Sequence, residues 1–355
     1  MTDAQVIVIG GGVAGASCAL ALARAGERVM LVEGESASRW KIGETLGPEA
    51  RPLLQSLGLW EAFARAGHLP CHGNASVWGW DGLAEKDFIF HPHGHAWQLD
   101  RRLFEEQLIA AAAQAGAAVR RGQMADDLDW NGGLWQVRLG AQKFSARWLI
   151  DASGRRAMVA RKAGVERKIL DRLVAVYGVA TSQSGSDQDS RTFVESAPAG
   201  WWYSALTPGG RRTVSFQTDA DLIPGEEWRT REWFATQLGQ TRHISRLVAG
   251  HDCVFNGPPQ LTSAHSGRLE QFAGEGWLAA GDAASSFDPL SGHGILHAVR
   301  SGIQAAKAVT GDEADRTAYA AWNESLWANF CQLRNHYYRT EKRFTGSVFW
   351  ERRHG

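Results

Sequence analysis

The chain has 355 residues, with 38 Lys and Arg balanced by 38 Asp and Glu and 44% hydrophobic residues. That is enough for two hydrophobic cores, and the ordinary apolar fraction argues against disorder. The neutral balance, the lack of a Lys/Arg stripe, and the lack of any apolar run of membrane-spanning length argue against a nucleic-acid partner and a membrane span.

Met-Thr-Asp leads directly into a strand, which leaves no room for a signal peptide, so a cytoplasmic protein is expected. The apolar run Val6 to Ile9 reads as a fully buried parallel strand, and it stops at Gly10, where a tight turn must open a helix. The turn carries the Gly10-x-Gly12-x-x-Gly15 pattern. Gly10 permits the turn, Gly12 lets a pyrophosphate approach, and Gly15 lets helix and strand pack closely; Val13 and Ala14 open the helix whose N-terminus offers donors to phosphate. Val29 to Glu33 is the second strand, and Glu33 stands where an acid takes the ribose hydroxyls of an adenosine. Together these features predict a bound adenine dinucleotide.

After a polar loop comes Lys41-Ile-Gly-Glu-Thr-Leu-Gly-Pro48, where Pro48 suits the first turn of a helix carrying Leu53, Leu54 and Leu57 and ending near Gly58. Short strands are expected at 74–80 and 88–90, and Asp100 opens an amphipathic helix running to Gly116. Residues 125–130 and 134–139, joined by Asn131-Gly-Gly133, read as a hairpin. Trp148 to Gly154 is an apolar strand ending in a turn. Residues 172–181, 190–196, 201–206 and 212–218 alternate at strand spacing and suggest a mostly antiparallel sheet. Short helices follow within 226–236 and 239–248, then a strand at Trp277 to Ala280, a turn at Gly281-Asp282, a long helix after Pro289-Leu-Ser-Gly-His-Gly294, and a helical pattern over 314–343. The fold class is therefore α/β: a Rossmann-type unit interleaved with a mostly antiparallel substrate unit, plus C-terminal helices. The expected division is 1–73, 100–165 and 259–310 for the dinucleotide unit, 74–99 and 166–258 for the substrate unit, and 311–355 for the helical segment.

Three motifs stand in order: Gly10-x-Gly12-x-x-Gly15, Asp151-Ala-Ser-Gly154, and Gly281-Asp-Ala-Ala-Ser-Ser-Phe-Asp-Pro-Leu-Ser-Gly-His-Gly294. Together they resemble the FAD-dependent aromatic hydroxylases of the p-hydroxybenzoate hydroxylase fold over roughly residues 4–310. The resemblance implies FAD as cofactor, with Asp282 beside Gly281 at the ribityl chain and pyrophosphate, and Arg101 at the start of a helix that reaches the cofactor. Asp151 reads as structural rather than catalytic. Gly43-Glu44-Thr45 with Pro48, and Pro289-Leu290, look like the branch holding the tryptophan halogenases. Three halogenase marks fail here. Ser291 stands where those enzymes place a glutamate, residues 74–80 contain no lysine, and Gly200-Trp-Trp-Tyr-Ser-Ala-Leu206 meets Trp-x-Trp-x-Ile-Pro only loosely. That pattern implies oxygen transfer from a C4a-hydroperoxyflavin to an aromatic ring.

The Gly200-Trp-Trp-Tyr-Ser-Ala phrase, Phe287-Asp-Pro-Leu-Ser and the tail Phe349-Trp-Glu-Arg-Arg-His354 are similar to flavoprotein maturases of tryptophylquinone-containing lysine and glycine oxidases. This implies a tryptophan of a partner oxidase precursor as substrate, with NAD(P)H or free reduced flavin as electron donor. Hydroxylation of a free indole or phenol, atypical halogenation, and a non-catalytic flavoprotein that stabilises a client are the competing readings.

The Ser291-Gly-His-Gly294 turn that opens the helix is expected to present amides to the flavin pyrimidine end, where negative charge develops on reduction, with Pro289, Gly292 and Gly294 among the cofactor-binding residues. His293 within it is either a proton-transfer group or an ordinary loop histidine. Glu44 is either a base or an anchor, and Thr45 is expected beside it at the cofactor. Lys41 is either a surface charge or a phosphate partner. Trp201, Trp202 and Tyr203 are placed on the substrate sheet toward the flavin, with alternation allowing only some to face it, and Tyr203 is the catalytic candidate. His293 and His297 have metal-compatible helical spacing, and His91-Pro-His-Gly-His95 invites the same thought, but the flavin motif accounts for the first and Pro92 and Gly94 break the second, so no metal is expected. The single cysteines Cys18, Cys71, Cys253 and Cys331 suggest neither disulfides nor zinc. Most of the sixteen tryptophans are expected to pack in cores or at the surface.

Overall fold

The computed structural model describes residues 3–34 and 40–354, so residues 35–39 of the polar loop after Glu33 lie outside the described residues. Val6–Ile9 lies between Val29–Glu33 and Trp148–Asp151, parallel to both, with Val6 opposite Val29 and Trp148. Trp277–Ala279 and Ala118–Arg121 extend this parallel sheet on its two sides, and Ala273–Gly274 adds an antiparallel edge. Val6 and Val8 join the core formed with helices Val13–Arg24, Arg101–Gln114 and Gly294–Thr310. Ile7 and Ile9 enter the opposite core, under the meander Asp127–Trp130, Trp135–Leu139 and Gln142–Ala146. Both faces are covered, which is why the strand is apolar without alternation. Asp100 accepts from the Leu103 amide at 3.0 Å and so starts the helix Arg101–Gln114, with Phe104, Leu108 and Ala112 inward.

The second sheet has the spatial order Cys253–Phe255, Leu173–Ser182, Arg211–Asp219, Gly200–Thr207, Thr192–Ala197, Gly73–Val77 and Ala84–Asp87. Its pairs are antiparallel except that between Thr192–Ala197 and Gly73–Val77. Gln260–Ser263 also pairs with Val174–Tyr177 of this sheet. Helices Arg231–Leu238 and His243–Gly250 cover one face, and the C-terminal helices pack on the other. A small antiparallel sheet of Thr45–Leu46, Ala96–Gln98 and Leu69–Cys71 lies where the chain crosses between the two larger sheets.

Two boundaries differ from expectation for a physical reason. The strand expected at 88–90 is instead Ala84–Asp87, an exposed edge strand, and 88–90 is a turn in which the Phe88 amide donates to His72 O at 2.8 Å. An edge strand wet on both faces carries no hydrophobic alternation, so its charged sequence gives no periodic signal. The helical tail is two helices, Glu313–Thr340 and Val348–His354, and the first starts with a reciprocal Asp312–Asp315 capping box.

Glu341, fully buried, joins these helices to the second sheet. It accepts from the Gly79 amide at 2.8 Å, from Ser196 Oγ at 2.6 Å and from Arg343 Nη2 at 2.5 Å. Burial alone pushes its carboxyl up, but Arg343 and Ser196 outweigh that and hold it down at about 2. A lowered carboxyl stabilises the fold fully above the unfolded value near 4.3, and that contribution is lost as pH falls toward about 2. Urea midpoints measured from pH 6 to pH 2 are therefore expected to separate wild type from Glu341→Gln at high pH and to converge as the acid end is reached.

Candidate active site

The glycine turn is fixed by two close approaches. Gly10 has φ +108°, and a Cβ there would stand 2.3 Å from Ala152 O; at Gly15 one would stand 1.9 Å from Gly10 O. Gly12 is different, with no heavy atom within 4 Å of where its Cβ would be. It borders open space at the N-terminus of the helix Val13–Arg24, which has no side-chain cap. Glu33 reaches back from the second strand, and its Oε2 accepts from the Gly11 amide.

Across the carboxyl ends of the parallel strands, the turn Gly281–Ala283 brings Asp282 Oδ2 within 2.9 Å of Arg155 Nη1. Arg155 carries no motif signal of its own in the sequence, although it directly follows the Asp151-Ala-Ser-Gly154 turn. Asp151 itself is buried and accepts from the amides of Val159 and Ala160 at 2.8 and 3.0 Å and from Ser153 Oγ at 2.6 Å. It holds the turn, in the structural role expected of it.

Arg101 Nη1 donates to Gly43 O at 2.7 Å and Ile42 O at 3.2 Å, and Nη2 donates to Glu105 at 2.8 Å. Lys41 Nζ pairs with the same Glu105 carboxylate at 2.8 Å. Lys41 and Arg101 thus share a carboxylate that the sequence reading passed over, and both stand at the loop leading to Glu44.

Glu44 is 1% exposed. Its carboxylate accepts from Thr213 Oγ1 at 2.8 Å, the Gly43 amide at 3.0 Å and Tyr203 OH at 3.2 Å. Burial raises its carboxyl above the ordinary range, while Thr213 and the charge of Arg101 oppose the rise. Tyr203 OH also lies 3.1 Å from Thr45 Oγ1, which contacts Gln98 Oε1 at 2.9 Å and Thr192 Oγ1 at 3.0 Å. Burial, then the Glu44 charge, push the Tyr203 phenol well above its usual value. Glu44, Thr45 and Tyr203 therefore form one buried network joining the crossing segment to the second sheet. Thr213, Gln98 and Thr192 complete it and were not foreseen. The available signal was the strand Arg211–Asp219, where Thr213, Ser215 and Gln217 are polar at alternate positions and all buried.

Tyr203 faces this network, but its neighbours do not share the setting. Trp202 is on the opposite face, stacked on Phe216 at 4.9 Å and edge-on to Phe234 at 5.2 Å. Trp201 is on the Tyr203 face but fully buried, with Nε1 donating to Tyr338 OH at 3.0 Å.

Pro289–Ser291 is a short turn leading through Gly292 and His293 into the helix Gly294–Thr310, which begins without a side-chain cap. His293 is exposed there. His297, one turn on, is buried between Phe287 and Trp322, and burial lowers its imidazole to about 4. In the histidine loop, His91 Nε2 lies 3.2 Å from Glu49 Oε1 and His95 Nδ1 lies 2.8 Å from Ala96 O. Among the described residues no three His, Cys, Asp or Glu side chains are grouped to hold a metal.

A Gly-turn at a helix N-terminus, an acid ending the second strand, and a second acid at the strand ends opposite define a dinucleotide-binding enzyme of the doubly wound class. The family described as FAD binding domain matches residues 3–311, and the chain belongs to it. The FAD-dependent oxidoreductase LodB of Marinomonas mediterranea is 31% identical over 367 residues, covering 100% of this chain and 98% of the relative. Two solved structures share the fold. The myxobacterial chondrochloren halogenase CndH superposes with a TM-score of 0.89 at 23% identity, covering 99% of this chain and 85% of that one. The peptidyl tryptophan dihydroxylase QhpG, essential for tryptophylquinone cofactor biogenesis, gives 0.79 at 24% identity, covering 99% and 79%. The chain is a flavin-dependent oxidoreductase with FAD as cofactor, and its fold is shared with flavin-dependent halogenases and hydroxylases.

The residues present fit that cofactor. Gly12 borders open space beside an uncapped helix, and Arg101 Nε and Arg155 Nε are buried donors with no partner among the described residues. Gly12→Ala is accordingly expected to keep the wild-type melting temperature while weakening FAD about tenfold or more, the factor given by 1.4 kcal/mol of lost binding. Gly15→Ala is expected to lower the melting temperature itself. Flavin fluorescence titration and thermal denaturation of the two variants check both.

Proposed function

We propose that the chain is an FAD-dependent monooxygenase that hydroxylates an electron-rich aromatic ring, most specifically a tryptophan side chain of a partner protein. The observation that carries this is the buried Glu44–Tyr203 pair, with Tyr203 OH 3.2 Å from the carboxylate and Thr213 fixing the other oxygen at 2.8 Å. Ring hydroxylation must remove the proton from the carbon that receives oxygen, and a dry carboxylate with a raised pKa accepts a proton far more readily than an exposed one. Tyr203 relays that proton to Glu44 Oε2, and Thr45 orients the phenol.

In this reading Gly10, Gly12, Val13, Ala14 and Gly15 hold the pyrophosphate, Glu33 the ribose hydroxyls, and Asp282 the ribityl chain. Lys41, Thr45 and Arg101 fix the loop along the cofactor, and the turn Pro289, Gly292 and Gly294 meets the flavin pyrimidine end, with His293 at its mouth. Reduced FAD supplies the activated dioxygen and the transferable oxygen atom. NADH, NADPH or free reduced flavin serves as electron donor. The dinucleotide unit is 1–73, 100–165 and 259–310 and the substrate unit 74–99 and 166–258, with Gly73 and Gln260–Ser263 moved to the substrate unit because they join its sheet, and 311–355 braces both.

Hydroxylation is favoured over halogenation by this chain's own residues. Gly73–Val77 has no lysine to bind hypohalous acid, and Ser291 follows Pro289-Leu290. A protein-borne substrate is supported by the Gly200-Trp-Trp-Tyr-Ser-Ala phrase and by the peptidyl tryptophan on which the fold neighbour QhpG acts. The FAD-loaded, reduced chain, mixed with air, chloride, bromide and a tryptophan-bearing oxidase precursor or a free indole, is expected to yield oxygenated and no halogenated product by mass spectrometry. A halogenated product contradicts the proposal, as does FAD binding with no product from any aromatic.

Glu44→Gln is expected to lower the hydroxylation rate about a hundredfold or more while retaining FAD. With wild type, the rate is expected to rise with pH through a value above the ordinary carboxylate range, because the proton acceptor is ionised Glu44 and its burial raises that value. Single-turnover rates across pH 5 to 9 check this, and a rate in Glu44→Gln equal to wild type would remove Glu44 from the chemistry.

A further inference from the structure

The segment beyond residue 311 lies outside the matched family region, yet it supplies the group that holds the turn before the helix Gly294–Thr310. Asp288 is 1% exposed and starts that turn. Its Oδ1 accepts from the Leu290 amide at 3.0 Å, its backbone oxygen accepts from the Ser291 amide at 3.1 Å, and its Oδ2 accepts from Tyr338 OH at 2.7 Å. The same hydroxyl accepts from Trp201 Nε1 at 3.0 Å. One phenol therefore uses its donor on the turn and an acceptor lone pair on the second sheet, two residues along the strand from Tyr203.

The ring itself has little freedom. Tyr338 is fully buried, with Trp78 and Trp350 each 5.9 Å away between ring centroids. The Arg334 and Arg353 guanidinia lie 4.8 and 5.1 Å from its centroid. Arg334 Nε is 3.5 Å from Asp288 Oδ2, and its Nη2 pairs with Asp171 at 3.2 Å; Arg353 pairs with Asp219 at 2.6 Å. The Trp201 N–H occupies a lone pair of the hydroxyl, so its proton is directed at Asp288, and a buried carboxylate that loses such a donor must seek another.

We propose that Tyr338 is a positioning residue for the cofactor turn. It couples Trp201 of the substrate sheet to the turn Pro289–Ser291, which sets the position of the uncapped N-terminus of the helix Gly294–Thr310, and thereby tunes the reduction potential of the bound flavin. This rests on the reading above that the turn meets FAD. A displacement of the Trp201 strand on substrate docking shifts Tyr338, then Asp288, then the amides that stabilise negative charge on the reduced cofactor.

The test compares wild type with Tyr338→Phe and Trp201→Phe, and with Tyr337→Phe, an exposed neighbour on the same helix. Amide hydrogen exchange at Leu290 to Gly292 is measured in cofactor-free protein, and the midpoint potential is measured in FAD-loaded protein. Tyr338→Phe is expected to speed exchange in the turn about tenfold, the loss of one net hydrogen bond, and to make the flavin potential more negative. Trp201→Phe is expected to move both in the same direction, and Tyr337→Phe to move neither. If Tyr338→Phe lowers the melting temperature but leaves turn exchange and potential at wild-type values, the residue is merely structural and the proposal is overturned. If exchange rises but the potential does not move in a protein that binds FAD, the coupling to the cofactor is refuted. If wild type binds no FAD, the cofactor reading fails separately, and unchanged exchange would refute the brace as well.

Discussion

A carboxylate sealed from water must find its hydrogen bonds in the protein, and Glu44 finds them in both halves of the molecule. The Gly43 amide comes from its own loop, while Thr213 and Tyr203 come from neighbouring strands of the second sheet. These bonds fix the distance between the dinucleotide fold and the substrate sheet. Thr45 repeats the constraint one residue on, pairing with Gln98 in the small crossing sheet and touching Thr192 and Tyr203. The loop from Lys41 to Pro48 is thereby held between Arg101 and Glu105 on one side and the second sheet on the other. Under the proposed function, the reaction site lies along this polar seam.

The C-terminal helices carry a second set of buried polar ties. Glu341 holds Gly79, Ser196 and Arg343; Asp219 holds Arg352 and Arg353; Asp288 holds Tyr338. Each carboxylate has a cation or several donors, as groups withdrawn from water require. Removing one partner from such a pair leaves the other buried and unpaired, so this segment is energetically coupled to the sheets it covers.

Much of this was legible in the sequence where local rules and tertiary demands agree. Val6–Ile9 and Val29–Glu33 are continuous apolar runs because both faces are buried, and Gly10 and Gly15 are glycine because backbone oxygens stand within 2.3 and 1.9 Å of any added Cβ. Asp100 announced its helix by capping chemistry. What was not legible required knowing which surface a side chain meets. Ala84–Asp87 is an edge strand without alternation, so the apolar Phe88 to Phe90 beside it drew the assignment. Trp201 and Trp202 look alike in sequence, yet one reaches Tyr338 and the other stacks on Phe216. Arg155, Thr213 and Tyr338 lie far in sequence from the groups they hold, as Glu105 does from Lys41, and spacing carries no trace of such pairs. The glycine motifs and family resemblance gave the cofactor; the buried network around Glu44 needed the fold.

In the proposed function, this seam serves oxygen transfer from FAD to an aromatic ring. The most direct measurement is a single turnover of the reduced, FAD-loaded chain with isotopically labelled dioxygen and a tryptophan-bearing partner or indole, followed by mass analysis of the product. Label is predicted in the aromatic ring, with its yield lost in Glu44→Gln. Label recovered only as hydrogen peroxide, or a ring that gains halogen in place of oxygen, would contradict the account.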